Sequence, residues 1–419
     1  MRGFFVCCVL VLVHCAWGQI EIGTPPVAGS PGRVSIVATP IIAKDASGPI
    51  DIYVTTSQQV RGGPATLTIA LDDSGVHCEA NFTVQNGSTS NTKWKLDLAG
   101  SGVPRFTRPM HFLVSATLTR SGASSGTSTV VMPEIKLPMV VVRGINPTND
   151  VWEDTTFVNA MVSHGYVEQT GPGVYTTLWY MHTDPYGNGL DYDPTYDLLS
   201  RNAQVLDNYI SYVVNTANPV TYADKVDIVA HSKGGLVSRQ YLYSYQVGAS
   251  RVRRLVMCAS PHTGSAEAWI DNFIGAAAIK QLYPTYNWYR SSSTGAWSQN
   301  TPNAALIDLN TNSRMPQSVD YWLLYGSTGP TSTAQSYTGT WPFGSAGKGD
   351  GDDYVLTASA LGYDLTLSSN GTATRGARIR AFDPAYGSKV PSGEIYLPGQ
   401  THTGFFGNAV ETIYGVFAQ

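Results

Sequence analysis

One stretch constrains this chain more than any other: Val226-Asp227-Ile228-Val229-Ala230-His231-Ser232-Lys233-Gly234-Gly235-Leu236, with Arg239 just beyond it. Its first half reads as a buried β-strand, its second half as the opening of a helix, and a serine stands at the junction. A strand that turns this tightly into a helix forces the junction residue into a strained backbone conformation and pushes its hydroxyl out beyond the end of the sheet. Strand and helix backbones then approach closely, which requires small residues two positions either side of the serine; Ala230 and Gly234 occupy those positions. The helix N-terminus adds backbone N–H groups that hold negative charge. Ser232 is therefore the candidate nucleophile, and the turn places three demands on the rest of the chain.

An earlier strand and loop should supply a second N–H for a developing oxyanion. Met139 to Val142 is an apolar, mostly β-branched run leading into Arg143-Gly144-Ile145-Asn146, so the N–H of Ile145 can pair with that of Lys233; each such donor is worth about 3–4 kcal/mol in the transition state. An acid should follow after a later strand. Gly349-Asp350-Gly351-Asp352-Asp353-Tyr354 follows the apolar stretch Tyr321 to Leu324 and offers three aspartates; an oxygen-rich loop of this kind is also a candidate calcium loop. A histidine should come last, near the C-terminus. His402, in the loop after Ile395 to Leu397, is the sole histidine beyond His262. The order Ser, Asp, His fits general-base activation of a serine through an acyl-enzyme, with no metal or organic cofactor. His231 is expected to point away from the site, His262 to shape the loop after its strand, and Arg239 to form a structural ion pair.

Periodicity divides the chain in two. From about 33 to 132 it shows short alternating strands broken by Gly, Pro, Ser and Asn, as in Thr66 to Leu71, Lys93 to Leu98 and His111 to Leu118. About seven such strands imply an immunoglobulin-like β-sandwich without catalytic residues. Beyond Pro133 and Pro138 the strands become continuous apolar runs alternating with helices: Val151 to Val162 and Leu199 to Val214 read as helices, and Val174 to Tyr180, Val226 to Ala230 and Arg254 to Met257 as strands. That alternation implies an α/β unit with a mostly parallel sheet.

The N-terminus has a secretory layout: Arg2, an apolar run from Phe4 to Val13, and small residues around Ala16-Trp17-Gly18. The run is too short for a membrane span, and no transmembrane anchor is expected elsewhere. Export and cleavage after Gly18 would remove Cys7, Cys8 and Cys15, leaving Cys78 and Cys258, which are expected to be buried free thiols. Asn81, Asn86 and Asn370 head glycosylation sequons. Charged residues make up only 13% of the chain and its formal net charge is −4, without a basic block, so nucleic acid is not an expected partner. Oligomeric state is not legible.

From about Leu137 onward the motifs resemble the lipase branch of the α/β-hydrolases. Ala230-His231-Ser232-Lys233-Gly234-Gly235-Leu236 with Arg239 is similar to the elbow of bacterial-type lipases and esterases. Ser260-Pro261-His262-Thr263-Gly264-Ser265 resembles their TPHxGS loop, and Trp152 and Gly165-Tyr166 resemble parts of the helix and turn after the oxyanion loop. Asp350-Gly351-Asp352-Asp353-Tyr354-Val355 through Ser359-Ala360 is similar to the DGDGTV…SA pattern of lecithin–cholesterol acyltransferase and lipases, which implies Asp352 as the acid. One departure is Arg143-Gly144, where relatives usually carry His-Gly.

The N-terminal layout and the strand periodicity set a signal peptide over 1–18 and a β-sandwich over 19–136, and the resemblance, which leaves the sandwich unmatched, implies an α/β-hydrolase domain over 137–419 with a cap or lid at about 265–317. Within that segment Trp269, Tyr283 and Trp288 are the expected substrate contacts. The same aromatic composition also fits an ordinary helical cap. The implied activity is a secreted, extracellular carboxylic-ester hydrolase acting on lipid or other hydrophobic esters, at a lipid interface in one version. A polyester depolymerase, an acyltransferase and a peptidase are rivals on the same fold. A catalytically silent secreted binding protein is the alternative outside enzymes.

Overall fold

The computed structural model describes residues 34–39, 51–56, 60, 63–88, 91–95, 102–120, 123–131, 134–145, 155–168, 177–181, 191–194, 197–216, 222–265, 282, 285, 288–290, 297–299, 303–327, 355, 357–367, 373–402 and 404–419. The proposed signal peptide lies outside them. The chain forms two compact units: one takes in residues up to Pro104 together with Met110–Ile135, the other Arg105–Pro109 and Lys136–Gln419.

The described residues of the first unit that form regular structure are all in β-strands. Strands β1 (Val34–Thr39), β2 (Asp51–Thr56) and β5 (Asn91–Lys95) form one antiparallel sheet. Strands β3 (Ala65–Asp73), β4 (Val76–Val84), β6 (Leu113–Arg120) and β7 (Ala123–Val131) form another, in the order β4-β3-β6-β7. Alternation sets its faces. Leu67, Ile69 and Leu71 stand opposite Leu118, Ala116 and Val114, and all six are fully buried. Thr66, Thr68 and Thr117 point the other way, and Thr68 donates to Asn81 Oδ1 at 2.6 Å. Ile52 and Val54 of β2 are fully buried in the companion sheet.

The second unit is built on a six-stranded sheet. Its strands are β8 (Met139–Val142), β9 (Leu178–Tyr180), β10 (Val226–His231), β11 (Val252–Cys258), β14 (Asp320–Ser327) and β17 (Gly393–Pro398). Two hairpins lie outside it: β12 (Trp288–Arg290) with β13 (Trp297–Gln299), and β15 (Tyr363–Leu367) with β16 (Ala373–Arg378). All pairings in the six-stranded sheet are parallel, in the order β17-β14-β11-β10-β8-β9. The central strands feed two cores. Val140, Val142, Ile228, Ala230, Leu255 and Met257 pack with helices α2 (Leu199–Ser211) and α3 (Lys233–Ser244). Met139, Val141, Val229 and Val256 pack with α1 (Thr155–Ser163) and the C-terminal helix Val410–Phe417. A strand buried on both sides has no polar face, which is why these segments read as continuous apolar runs. Asp227 breaks the run in β10; it is buried and held by Arg253, whose Nε and Nη2 donate to its two oxygens at 2.8 and 2.5 Å.

The strand order locates the functional end. From β8 the chain adds β9 on one side, then returns to lay β10, β11, β14 and β17 on the other. Open α/β sheets bind ligands outside the carboxyl ends of their strands where the order reverses, here between β8 and β10.

Cys78 and Cys258 are both buried and unbridged. Among the described residues, no helix is long and apolar enough to cross a membrane.

Candidate active site

Ser232 lies at that reversal, between the last residue of β10 and the first of α3, with φ 53° and ψ −127°. An L-residue pays steric strain in this left-handed region. The surroundings enforce it: Ser232 N–H donates to Cys258 O at 2.9 Å, and Gly235 N–H donates to Ser232 O at 3.1 Å. Two close approaches explain the neighbouring glycines. A Cβ on Gly234 would lie 2.2 Å from the Val142 carbonyl oxygen, so only glycine lets α3 start against the end of β8. A Cβ on Gly144 would lie 2.5 Å from Ser232 Cβ and 3.1 Å from Ser232 Oγ. The loop after β8 therefore passes directly beside the serine hydroxyl, and the peptide joining Gly144 to Ile145 begins there.

His402 follows β17, three strand spacings from β10, or about 14 Å at the usual separation. Its loop crosses that gap. His231 Nε2–H donates to the His402 carbonyl at 2.9 Å, and the two rings lie 4.5 Å apart between centroids. Both histidines are buried. Burial holds the His231 pKa well below the usual imidazole range, and the nearby His402 lowers it further, so His231 is a neutral donor. This corrects the expectation that His231 points away. The residue preceding the serine docks the loop that carries His402.

The aspartates at 350, 352 and 353 lie outside the described residues, as do Trp269 and Tyr283. Trp288 opens strand β12. Downstream of the aspartates the helix Thr357–Ala360 is buried, and its Ser359 is a junction. Ser359 Oγ accepts from Thr263 N–H at 3.1 Å and donates to Gly264 O at 2.7 Å. The loop after β11 and the chain after the aspartates are thus pinned together.

Arg239 departs from expectation. It is buried on α3, yet among the described residues it meets no carboxylate. Its guanidinium donates to His262 Nδ1 at 3.2 Å and to Asn310 Oδ1 at 2.9 Å, and lies 4.9 Å from the centre of the Phe382 ring. Burial lowers its pKa to about 9, which leaves it charged at neutral pH. Neutral acceptors and an aromatic face replace the ion pair. Asn310 Nδ2 in turn donates to His262 O at 2.7 Å, so His262 shapes its loop as its sequence position suggests. Burial and the neighbouring Arg239 and Arg378 keep its imidazole neutral.

Two side chains that sequence reasoning misses, or reads only for their backbone, complete the neighbourhood. Tyr192 is buried, and its hydroxyl donates to the Arg143 carbonyl at 2.5 Å. Lys233 is fully buried, and its Nζ donates to the carbonyls of Pro194 at 2.8 Å and Asp197 at 3.0 Å. Burial pushes the Lys233 pKa down to about 7, against the opposing pull of the Asp193 and Asp197 carboxylates. Among the described residues no cluster of three or more His, Cys, Asp or Glu side chains could hold a metal ion.

A family profile described as a PGAP1-like alpha/beta domain matches residues 195–308, a stretch that contains α2, β10, the Ser232 turn, α3 and β11. No curated protein matches the chain. Among solved structures the chain is similar to the mature form of the lipase BlEst2 from Bacillus licheniformis, at 18% identity over 67% of this chain and 91% of that one, TM-score 0.38. It is also similar to phospholipase PlaB from Legionella pneumophila, at 16% identity over 64% of this chain and 54% of that one, TM-score 0.38. A third is the product of gene lin2722 from Listeria innocua, at 12% identity over 66% and 92%, TM-score 0.37. Likenesses this distant leave the fold to be argued from the chain itself. The parallel sheet and the serine turn at the reversal of strand order give the second unit the α/β-hydrolase fold, and the PGAP1-like match spans that turn.

Proposed function

We propose that this protein is a serine hydrolase that cleaves carboxylic esters of hydrophobic character, with Ser232 as nucleophile, His402 as general base and Asp352 as the acid that orients it. The observation that carries the reading is the contact at Ser232. Its side chain occupies a strained turn at the reversal of strand order, with Gly144 against its Cβ and Oγ. The loop of His402 is bonded to the residue before it. In this mechanism His402 removes the Ser232 proton as Oγ attacks the ester carbonyl, and the N–H groups of Ile145 and Lys233 receive the oxyanion. The imidazolium then protonates the departing alcohol, and water activated by His402 releases the acid from the acyl-enzyme.

The preference for hydrophobic esters rests on the aromatic segment at about 265–317, which includes Trp269, Tyr283 and Trp288. Export through the N-terminal signal belongs to the same proposal. A series of p-nitrophenyl esters from short to long acyl chains tests the activity. Wild type should turn over the series with preference for longer chains, and Ser232→Ala should fall to the uncatalysed background. Equal turnover by Ser232→Ala would end the proposal.

A further inference from the structure

Gly144 cannot be replaced without striking Ser232, so the loop that offers the Ile145 N–H depends on the residue with the freest backbone. Something else must hold that loop still. Tyr192 is the described side chain that does so: its hydroxyl donates to the Arg143 carbonyl at 2.5 Å, one peptide before the Gly144–Ile145 peptide. The same carbonyl faces the start of α3, 2.7 Å from where a Gly234 Cβ would lie.

The chain around Tyr192 is anchored in turn. Asn202 of α2, fully buried, accepts from Asp193 N–H at 3.1 Å and donates to Asp193 O at 3.0 Å and Asp197 O at 3.3 Å. Lys233 reaches the same segment through Pro194 O and Asp197 O. Burying an ammonium completely is costly unless it is well bonded, and two of its bonds go to this segment. These bonds form one continuous connection. It runs from Lys233 through its side chain to Pro194, along the chain to Tyr192, across to Arg143, and through Gly144 to Ile145. Its two ends are the residues whose backbone N–H groups form the proposed oxyanion site.

We infer that Tyr192 and the Lys233 side chain are positioning residues that together set the spacing of the two oxyanion donors, Ile145 and Lys233. The inference rests on the reading of Ser232 as the nucleophile. It also explains how Arg143 stands where related enzymes usually carry histidine: the loop is held through the backbone carbonyl of that position, which any residue supplies.

The test is steady-state kinetics on a p-nitrophenyl ester for Tyr192→Phe, Lys233→Met and the double variant. Phosphonylation of Ser232 by a fluorophosphonate is measured alongside, because its P=O oxygen occupies the same donors. Losing one donor outright costs about 100- to 1000-fold in kcat, so misplacing one should cost about tenfold. Each single variant should lower kcat by about that factor with KM within about twofold. Phosphonylation should slow in proportion, and the double variant should be no worse than the poorer single, as expected of one coupled unit. A kcat within twofold of wild type in Tyr192→Phe, a change confined to KM, or losses that multiply in the double variant would overturn the inference. If Tyr192→Phe fails to fold, Lys233→Met alone decides, and wild-type kcat there overturns it. Absence of any wild-type labelling at Ser232 would instead remove the hydrolase reading on which this inference stands.

Discussion

The four-stranded sheet of the first unit and the six-stranded sheet of the second use similar residues to opposite ends. In β3 burial alternates, with Leu67, Ile69 and Leu71 inside and Thr66, Thr68 and Ala70 on the opposite face. In β10 every position from Val226 to His231 is buried. The first arrangement closes one core and leaves a solvated face of short hydroxyls. The second needs layers on both faces, and its strand ends are where the backbone must turn sharply to reach them. Strain, close glycine contacts and buried polar side chains gather at those ends: Ser232 and Ala259 both take positive φ just after consecutive strands. The difference teaches why the proposed site gathers at the carboxyl ends of strands covered on both faces, and why the alternating sheet is expected to contribute mainly stability.

The comparison can be broken by substitution on either side. The largest effect should come from the acid: Asp352→Asn should cost about 10⁴-fold in kcat, as for loss of the orienting carboxylate in a serine triad, while Asp350→Asn and Asp353→Asn stay within about tenfold. Loss confined to Asp350→Asn would move the acid by two residues. A core truncation in the alternating sheet should do the reverse. Leu67→Ala, at a fully buried site, should destabilise the first unit by about 2–5 kcal/mol in denaturant unfolding and leave kcat on a p-nitrophenyl ester unchanged below the transition. A fall in kcat there would deny the division of labour.

The smallest effect is a slope. Lys233 has a folded pKa near 7, against about 10.4 for a lysine in the unfolded chain. Between those values the unfolded state binds more protons, so this residue adds stability as pH rises across the window and costs stability below it. The wild-type denaturation midpoint should therefore rise from pH 7 to 9 more steeply than that of Lys233→Met. Parallel slopes would show that the buried amine titrates normally.

Much of this molecule is legible in its amino-acid sequence. The Ser232 turn is readable because its geometry admits only small residues at fixed offsets, and because a continuous apolar strand and a helix start bracket it. Gly144 is readable as a loop glycine, although its cause, contact with the Ser232 side chain, is a fact of three dimensions. Tyr192 is invisible because its partner is a backbone carbonyl 49 residues away, and a carbonyl has no sequence signature. Arg239 misleads for a related reason: a charged residue suggests a charged partner, whereas its partners here are an imidazole, an amide and an aromatic face. His231 escapes the sequence because the strand-to-helix turn aims its ring at a loop that arrives from three strands away. The β15–β16 hairpin does leave a signal, since Tyr363 to Leu367 alternates and Asn370-Gly371 is a common turn pair. The sequon at Asn370 masks it, because the same asparagine reads first as a glycosylation site.

The most direct test of the central claim is peptide mapping of the protein after reaction with a fluorophosphonate. Ser232 as nucleophile predicts a single adduct on the peptide containing Ala230 to Gly235, absent from Ser232→Ala. An adduct on any other residue, or none at all from a folded protein, would contradict it.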